Sequence, residues 1–295
     1  VKKLLSFISM SAAMLAAIPA LAQDGTHVGM AKPWQMNYQE AVTPVMERLT
    51  HLHDFLLILT TVVTLFVLAL LAYVCVRFRR KANPVASKNS HNTLIEVIWT
   101  VVPVLILAVI FLPSKRLHYE CIHTIGCAED GTPAEPDVTL KIVGYQWYWN
   151  YEYPGAEVQF DSYMKQEEDL LPGEPRLLAV DNPVVVPVHA NVRLLMTGGD
   201  VIHDWAMPAF GVKQDTVPGR LNESWFRAEK EGTYYGQCSE LCGRLHGFMP
   251  IQVEVVSQDV YDQWLQTAAE DMDAASQLIA ELRGRKATDV AMNQE

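Results

Sequence analysis

From Phe55 to Val76 the chain carries 22 consecutive residues without a charge. Coiled as a helix, such a run is long enough to cross a hydrocarbon core of about 30 Å, and a lone segment can satisfy its backbone groups there only as a helix. Arg77, Arg79, Arg80, Lys81 and Lys88 follow, with no acid before Glu96. A short loop this basic belongs in the cytoplasm by the positive-inside bias. A second apolar run, Thr93 to Ser114, is bounded by Lys115 and Arg116, carries Glu96 as its only acid, and is expected to bend at Pro103. The reading is a hairpin: transmembrane helices over 55–76 and 93–114, a cytoplasmic loop over 77–92, and both ends of the mature chain outside.

Upstream, Val1 to Ala22 combines Lys2 and Lys3, an uncharged stretch from Leu4, and the small-residue pattern Ala20-Leu21-Ala22 before Gln23. That pattern marks a secretory signal peptide over 1–22 rather than a third membrane helix, leaving 23–54 as a periplasmic N-terminal segment. Cys75, within the first apolar run, reads as a small buried residue.

Beyond Pro113 the composition changes. The remainder holds 29 Asp and Glu against 14 Lys and Arg, an excess of 15 negative charges that argues against nucleic acid as a partner. Residues 115–136 read as a periplasmic linker or insertion, punctuated by Gly126, Gly131, Pro133 and Pro136. Its Cys121 and Cys127 are open to a disulfide, two free thiols or a local metal site. No C-x-x-C-H occurs, so any haem belongs to a partner.

From Val138 the apolar pattern alternates: Val138, Leu140 and Ile142, then Trp147, Trp149, Tyr151 and Tyr153 at period two. Further strands are expected at 176–180, 184–188, 192–197, 224–228, 233–236 and 251–256. Many short strands between Pro, Gly, Asn and Asp turns give an antiparallel sandwich or barrel over 137–256. A helix capped by Ser257 should then run through Trp264 and Leu278 to about Arg283, with the whole of 257–295 forming a C-terminal helix and tail.

The chemistry is concentrated in Gln237 to Ile251, which reads QCSELCGRLHGFMPI. Cys238, Cys242, His246 and Met249 supply two thiols, an imidazole and a thioether, soft donors suited to copper. With the upstream His203 the set holds one thiolate too many for a mononuclear blue-copper site. Two thiolates can instead bridge two coppers, each with one imidazole, leaving weaker positions for Met249 and a backbone carbonyl such as that of Glu240. A Cys2His2 zinc site and a Cys238–Cys242 disulfide use the same residues and stay open, and His189 is a further imidazole.

These residues carry a resemblance. QCSELCGRLHGFMPI, VIHDWAMPAFGVKQDTVPGR from Val201, YQWYWNYEY from Tyr145, and Glu96 just before VIWTVVP resemble subunit II of bacterial and mitochondrial cytochrome c oxidases over nearly all the mature length. The resemblance implies a two-helix transmembrane hairpin with an all-β, cupredoxin-like Greek-key sandwich holding a dinuclear copper A centre. His203, Cys238, Cys242, His246 and Met249 would ligate copper by side chains and Glu240 by its carbonyl.

The Glu240 carboxylate would also join a magnesium site shared with subunit I, although one carboxylate does not specify magnesium. The implied function is to accept electrons from a c-type cytochrome and pass them to the haem groups of subunit I, where oxygen is reduced to water with proton pumping. Trp147 would receive the electron, whereas periodicity alone makes it a core residue. Glu152, Glu157, Asp161 and Asp200 would dock the cytochrome, and Glu96 would admit protons from the cytoplasm. The implied partners are subunit I, other oxidase subunits and the donor cytochrome, at a bacterial inner membrane with the copper domain in the periplasm. The signal peptide, the insertion from Cys121 to Pro136 and the long tail depart from the mitochondrial pattern.

Overall fold

The computed structural model of the chain describes residues 27–85, 87–119 and 135–292. The signal-peptide residues and the Cys121–Cys127 pair lie outside the described residues. After a short strand β1 (His27–Gly29), two helices α1 (Pro44–Arg77) and α2 (Thr93–Leu117) form the hairpin. Both are long and apolar enough to cross a membrane, and their Leu, Val, Ile and Phe side chains are exposed on all sides, a surface suited to lipid rather than water. Cys75 is on that exposed surface and not buried.

Helix α1 begins eleven residues before the apolar run, because a local capping signal sets its start. Thr43 is the N-cap: its Oγ1 accepts from the Met46 N–H at 3.1 Å and donates to the Phe210 carbonyl at 2.7 Å, with Pro44 at the first helical position. The same hydroxyl therefore starts the helix and ties it to the following domain. Val45 and Leu117 pack with Trp225 in a small buried cluster at this junction. Helix α2 continues past Ser114 to Leu117, so the segment expected as linker from Lys115 opens as helix.

The domain beyond is a two-sheet sandwich. One sheet orders β4 (Val158–Ser162), β3 (Tyr148–Tyr153), β2 (Val138–Tyr145), β6 (Val192–Gly198) and β9 (Asn222–Phe226). The other orders β5 (Val184–Pro187), β11 (Pro250–Val256), β10 (Gly232–Cys238), β7 (His203–Met207) and β8 (Val212–Thr216), with β1 added beside β10. Three pairings, β2 with β6, β5 with β11 and β1 with β10, are parallel. Alternation of side chains is the same in parallel and antiparallel strands, so the sequence pattern did not separate them. Leu140, Ile142, Trp149, Tyr151, Leu194 and Met196 from one sheet meet Trp205, Met207, Tyr234, Ile251 and Val253 from the other in a single core.

Four strands escape the sequence reading: β1, β4, β7 and β8. In β7 all five residues of HDWAM are buried, so both faces of the strand are covered and His203 and Asp204 interrupt the apolar signal at buried positions. Conversely 176–178 form a turn, with only Val180 bridged to Met164.

The C-terminal helix is two helices, α3 (Gln258–Glu270) and α4 (Met272–Met292). Asp271 separates them in extended conformation, and its Oδ1 accepts from the N–H groups of Asp273 and Ala274 at 2.9 and 3.1 Å. An aspartate in that geometry caps a new helix and ends the old one. Ser257 stands at the N-cap position of α3 without a side-chain capping bond. Trp264 packs against Tyr153 and Phe160 of the other sheet, whereas Ile279, Leu282 and Arg283 lie beside Glu254 of β11, a strand buried along its whole length.

Candidate metal centre

Strands β10 and β11 are adjacent and antiparallel, and the loop between them carries most of the donors. Cys238 is the last residue of β10, Cys242 lies in the loop, His246 opens a 3-10 turn and Met249 directly precedes β11. His203 arrives from the first position of β7, the neighbour of β10, whose register sets Cys238 opposite Trp205. Four of the five side-chain donors are thus local in sequence, and sheet pairing delivers the fifth.

The two sulfurs stand 3.8 Å apart, both cysteines buried and free. A disulfide requires about 2.05 Å, so this arrangement is not one. The remaining donors divide between the sulfurs. Cys238 Sγ is 4.0 Å from His203 Nδ1 and 3.3 Å from the Glu240 carbonyl oxygen. Cys242 Sγ is 3.6 Å from His246 Nδ1 and 3.6 Å from Met249 Sδ. His203, Cys238 and Cys242 hold donor atoms all within 4.8 Å of one another. Burial, and then the neighbouring Cys238, push the Cys242 thiol up to about 12. Two thiolates side by side in this interior call for positive charge, and metal ions provide it.

The surroundings fix the donors. Asp200 Oδ1 meets His203 Nε2 at 2.9 Å, which leaves Nδ1 turned to the sulfurs. The ring of fully buried His203 rests on Gly144, where an added Cβ would come within 2.9 Å of it. Trp149 Nε1 donates to the Met249 carbonyl at 3.2 Å, and Gln146 Nε2 donates to the Cys242 carbonyl at 2.8 Å. No sequence pattern marks Gln146 as a support, since its partner is 96 residues away. His189 is apart from the site and pairs with Glu229 at 2.9 Å.

Trp147 does not belong to the buried face of β3. It sits in the turn between β2 and β3, half-buried, while Trp149, Tyr151 and Tyr153 point inward. Its ring lies against Gly243, where a Cβ would approach Cζ2 to 3.0 Å, and the Arg244 guanidinium is 5.9 Å from the ring centroid. The indole therefore packs directly on the donor loop.

The acids are dispersed. Glu157 is exposed in the β3–β4 turn, Asp161 accepts from Asn150 Nδ2 at 2.7 Å, and Glu152 pairs with Lys141. Asp200 also accepts from the Gln146 N–H at 2.8 Å, beside Trp147. Glu96 is partly buried one turn into α2, where its Oε1 accepts from the N–H of the N-cap Asn92 at 3.2 Å. Among the described residues Glu240 belongs to no group of three or more metal-ligating side chains, so nothing here supports magnesium.

A membrane hairpin carrying a β-sandwich, with a buried thiol pair flanked by imidazoles, is the architecture of a membrane-anchored protein whose donor set could hold a metal. Residues 138–256 match the family model of the cytochrome C oxidase subunit II periplasmic domain, and residues 31–117 match that of its transmembrane domain. A protein of Rickettsia felis described as probable cytochrome c oxidase subunit 2 is 52% identical over 236 residues, covering 79% of this chain and 71% of the relative. Cytochrome c oxidase subunit 2 of Cereibacter sphaeroides is 41% identical over 278 residues, covering 88% and 89%. The crystal structure of the periplasmic domain of subunit II of cytochrome oxidase of Bradyrhizobium japonicum is 51% identical, covers 47% of this chain and 98% of that one, and has a TM-score of 0.44. The chain belongs to the cytochrome c oxidase subunit II family and, as such, is a subunit of a cytochrome c oxidase.

Proposed function

We propose that the chain takes single electrons from a reduced c-type cytochrome and hands them to the haem groups of subunit I, through a dinuclear copper A centre held by His203, Cys238, Glu240, Cys242, His246 and Met249. The observation that carries this reading is the division of the donors about a shared sulfur pair, with one imidazole beside each sulfur. Two coppers bridged by these sulfurs would gain and lose one electron with little rearrangement. The protein's part is rigidity: Cys238 is fixed by the β10 ladder, Met249 by Trp149, Cys242 by Gln146, and His203 by Asp200 and Gly144.

Trp147 receives the electron in this reading, since its half-exposed ring bears on the loop next to Cys242. Glu152, Glu157, Asp161 and Asp200 draw in the basic face of the cytochrome. Glu96 admits protons at the opposite end of the hairpin, where the loop of Arg77 to Lys88 places the cytoplasm and leaves the β-domain in the periplasm. Glu240 completes a magnesium site only if subunit I contributes further ligands. The decisive measurement is copper stoichiometry with electron paramagnetic resonance on the purified oxidase. Two coppers in this subunit sharing one unpaired electron are expected, and a single-copper spectrum rejects the assignment.

A further inference from the structure

The segment from β1 to the start of α1 is fixed to the β-domain at both ends. At one end β1 pairs with β10, and Gly29 lies against the Tyr234 ring, where a Cβ has no room. At the other, the Val42 N–H donates to the Ala209 carbonyl at 3.2 Å, and the Val42 carbonyl accepts from the Glu229 N–H at 2.8 Å. Between these ties the chain descends toward the membrane. Asn37 Oδ1 is 3.2 Å from His53 Nε2, and the Tyr38 and His53 ring centroids are 4.6 Å apart. His53 lies well along α1 from the Thr43 cap, so this contact is about 15 Å deeper than the tie between Thr43 and Phe210. It falls just short of Phe55, where the uncharged run begins.

The turn at the bottom of this descent is braced by one side chain. Gln35 Oε1 accepts from the Lys32 N–H at 2.9 Å, and Gln35 Nε2 donates to the Tyr38 carbonyl at 2.5 Å. Trp34 stands in the turn at φ 62°, a left-handed conformation that bulky residues seldom adopt. What the turn presents is apolar: Trp34 is 97% exposed and Met36 98%, with Tyr38 about half exposed. Single exposed apolar residues are ordinary, but two large ones almost free of the chain on one braced turn, level with the edge of the hydrocarbon, mark a contact surface. We propose that residues 32–38 form a finger that rests in the membrane interface, with Trp34 and Met36 seated between the headgroups and the first acyl carbons of the leaflet on the β-domain side. Tryptophan and tyrosine gather at that depth because their rings are apolar while the N–H and O–H stay wet. The patch is continuous, through His53, with the exposed apolar surface of α1 that starts at Phe55. Lys32 in the same turn also favours lipid, since lysine is depleted from the desolvated centres of protein contacts and is at home among phosphates. The finger thus gives the β-domain a second support on the bilayer, beside α1.

The test uses the intact oxidase in its own membrane, with Trp34 or, separately, Met36 replaced by the photoreactive p-benzoylphenylalanine. After irradiation, the peptide that carries the probe is isolated and its adducts are identified by mass spectrometry. Phospholipid adducts are expected at both positions, with subunit composition and copper content as in the wild type. The same probe at Leu171, exposed on the β-domain, should give none. A cross-link from position 34 or 36 to another subunit would overturn the idea and make the turn a protein contact. Absence of lipid adducts at both positions, equal lipid labelling at 171, or loss of a subunit from the labelled oxidase would overturn it as well.

Discussion

His203 and Asp200 illustrate what a single side chain can settle. Asp200 was expected on the docking surface, yet both of its oxygens are engaged: one with His203 Nε2 and the Val201 N–H, the other with the Gln146 N–H. An outer partner that fixes a ligating imidazole is worth roughly 10–100-fold in metal affinity. Asp200→Ala should therefore lower copper retention by that order against a chelator, and also perturb the copper spectrum. A variant that only weakens cytochrome binding would leave Asp200 as a docking acid. Trp147→Gln should do the reverse, lowering the rate of electron transfer within the docked complex far more than it weakens docking, with the copper spectrum intact. Flash-induced reduction of the copper centre measures that rate, and wild-type kinetics in the variant would exclude Trp147 as the acceptor. Four donors were legible because they fall within 12 residues. The supports Gln146, Gly144 and Trp149 were not, because the fold brings them from another sheet.

At the level of elements, the sequence showed the apolar helices and most strands but placed their ends poorly, since capping and docking rather than hydropathy decide them. Thr43 extends α1 beyond the membrane run, and Asp271 divides the tail into two helices. Helix α4 owes its place to Arg283, whose guanidinium reaches Glu174 at 2.9 Å and Glu254 at 3.5 Å. Glu254 stands on the outer face of β11 and accepts from Thr233 Oγ1 and Gln252 Nε2; Glu174 is also held by Lys165. Both carboxylates are almost wholly buried. Removing the cation between them leaves buried charge uncompensated, a loss of about 3 kcal/mol for such a pair. Arg283→Met should lower domain stability by about that much, and expose α4 to proteolysis before the sandwich unfolds. Adding Glu254→Gln should restore part of the stability. An Arg283→Met domain as stable as the wild type would reduce this cluster to a surface contact.

On the scale of the whole molecule, two charge distributions are kept apart by the hairpin. The basic loop of Arg77 to Lys88 and the first-turn carboxylate of Glu96 lie at one end, and the acidic β-domain lies at the other. Glu96→Gln should slow oxidase turnover while leaving reduction of copper by the cytochrome unchanged; equal turnover would mean that Glu96 serves only to cap α2, through its bond to Asn92. At the other end, the chain's net charge of −11 understates the field of the domain, which carries the acidic excess alone. Not every acid contributes equally to attraction. Glu152 is paired with Lys141, and Asp200 is engaged by His203, so Glu157 and Asp161 are the carboxylates whose charge is least offset by a paired cation. Attraction of this kind is screened over about 10 Å at 0.1 M salt and acts mainly on the association rate. Association of a basic cytochrome should therefore slow as salt rises, and Glu157→Gln with Asp161→Asn should slow it more than Glu152→Gln while flattening the salt dependence. Stopped-flow kinetics at several ionic strengths would read both effects. A salt-independent rate in the wild type, or an equal loss from Glu152→Gln alone, would locate the cytochrome's contact elsewhere on the domain.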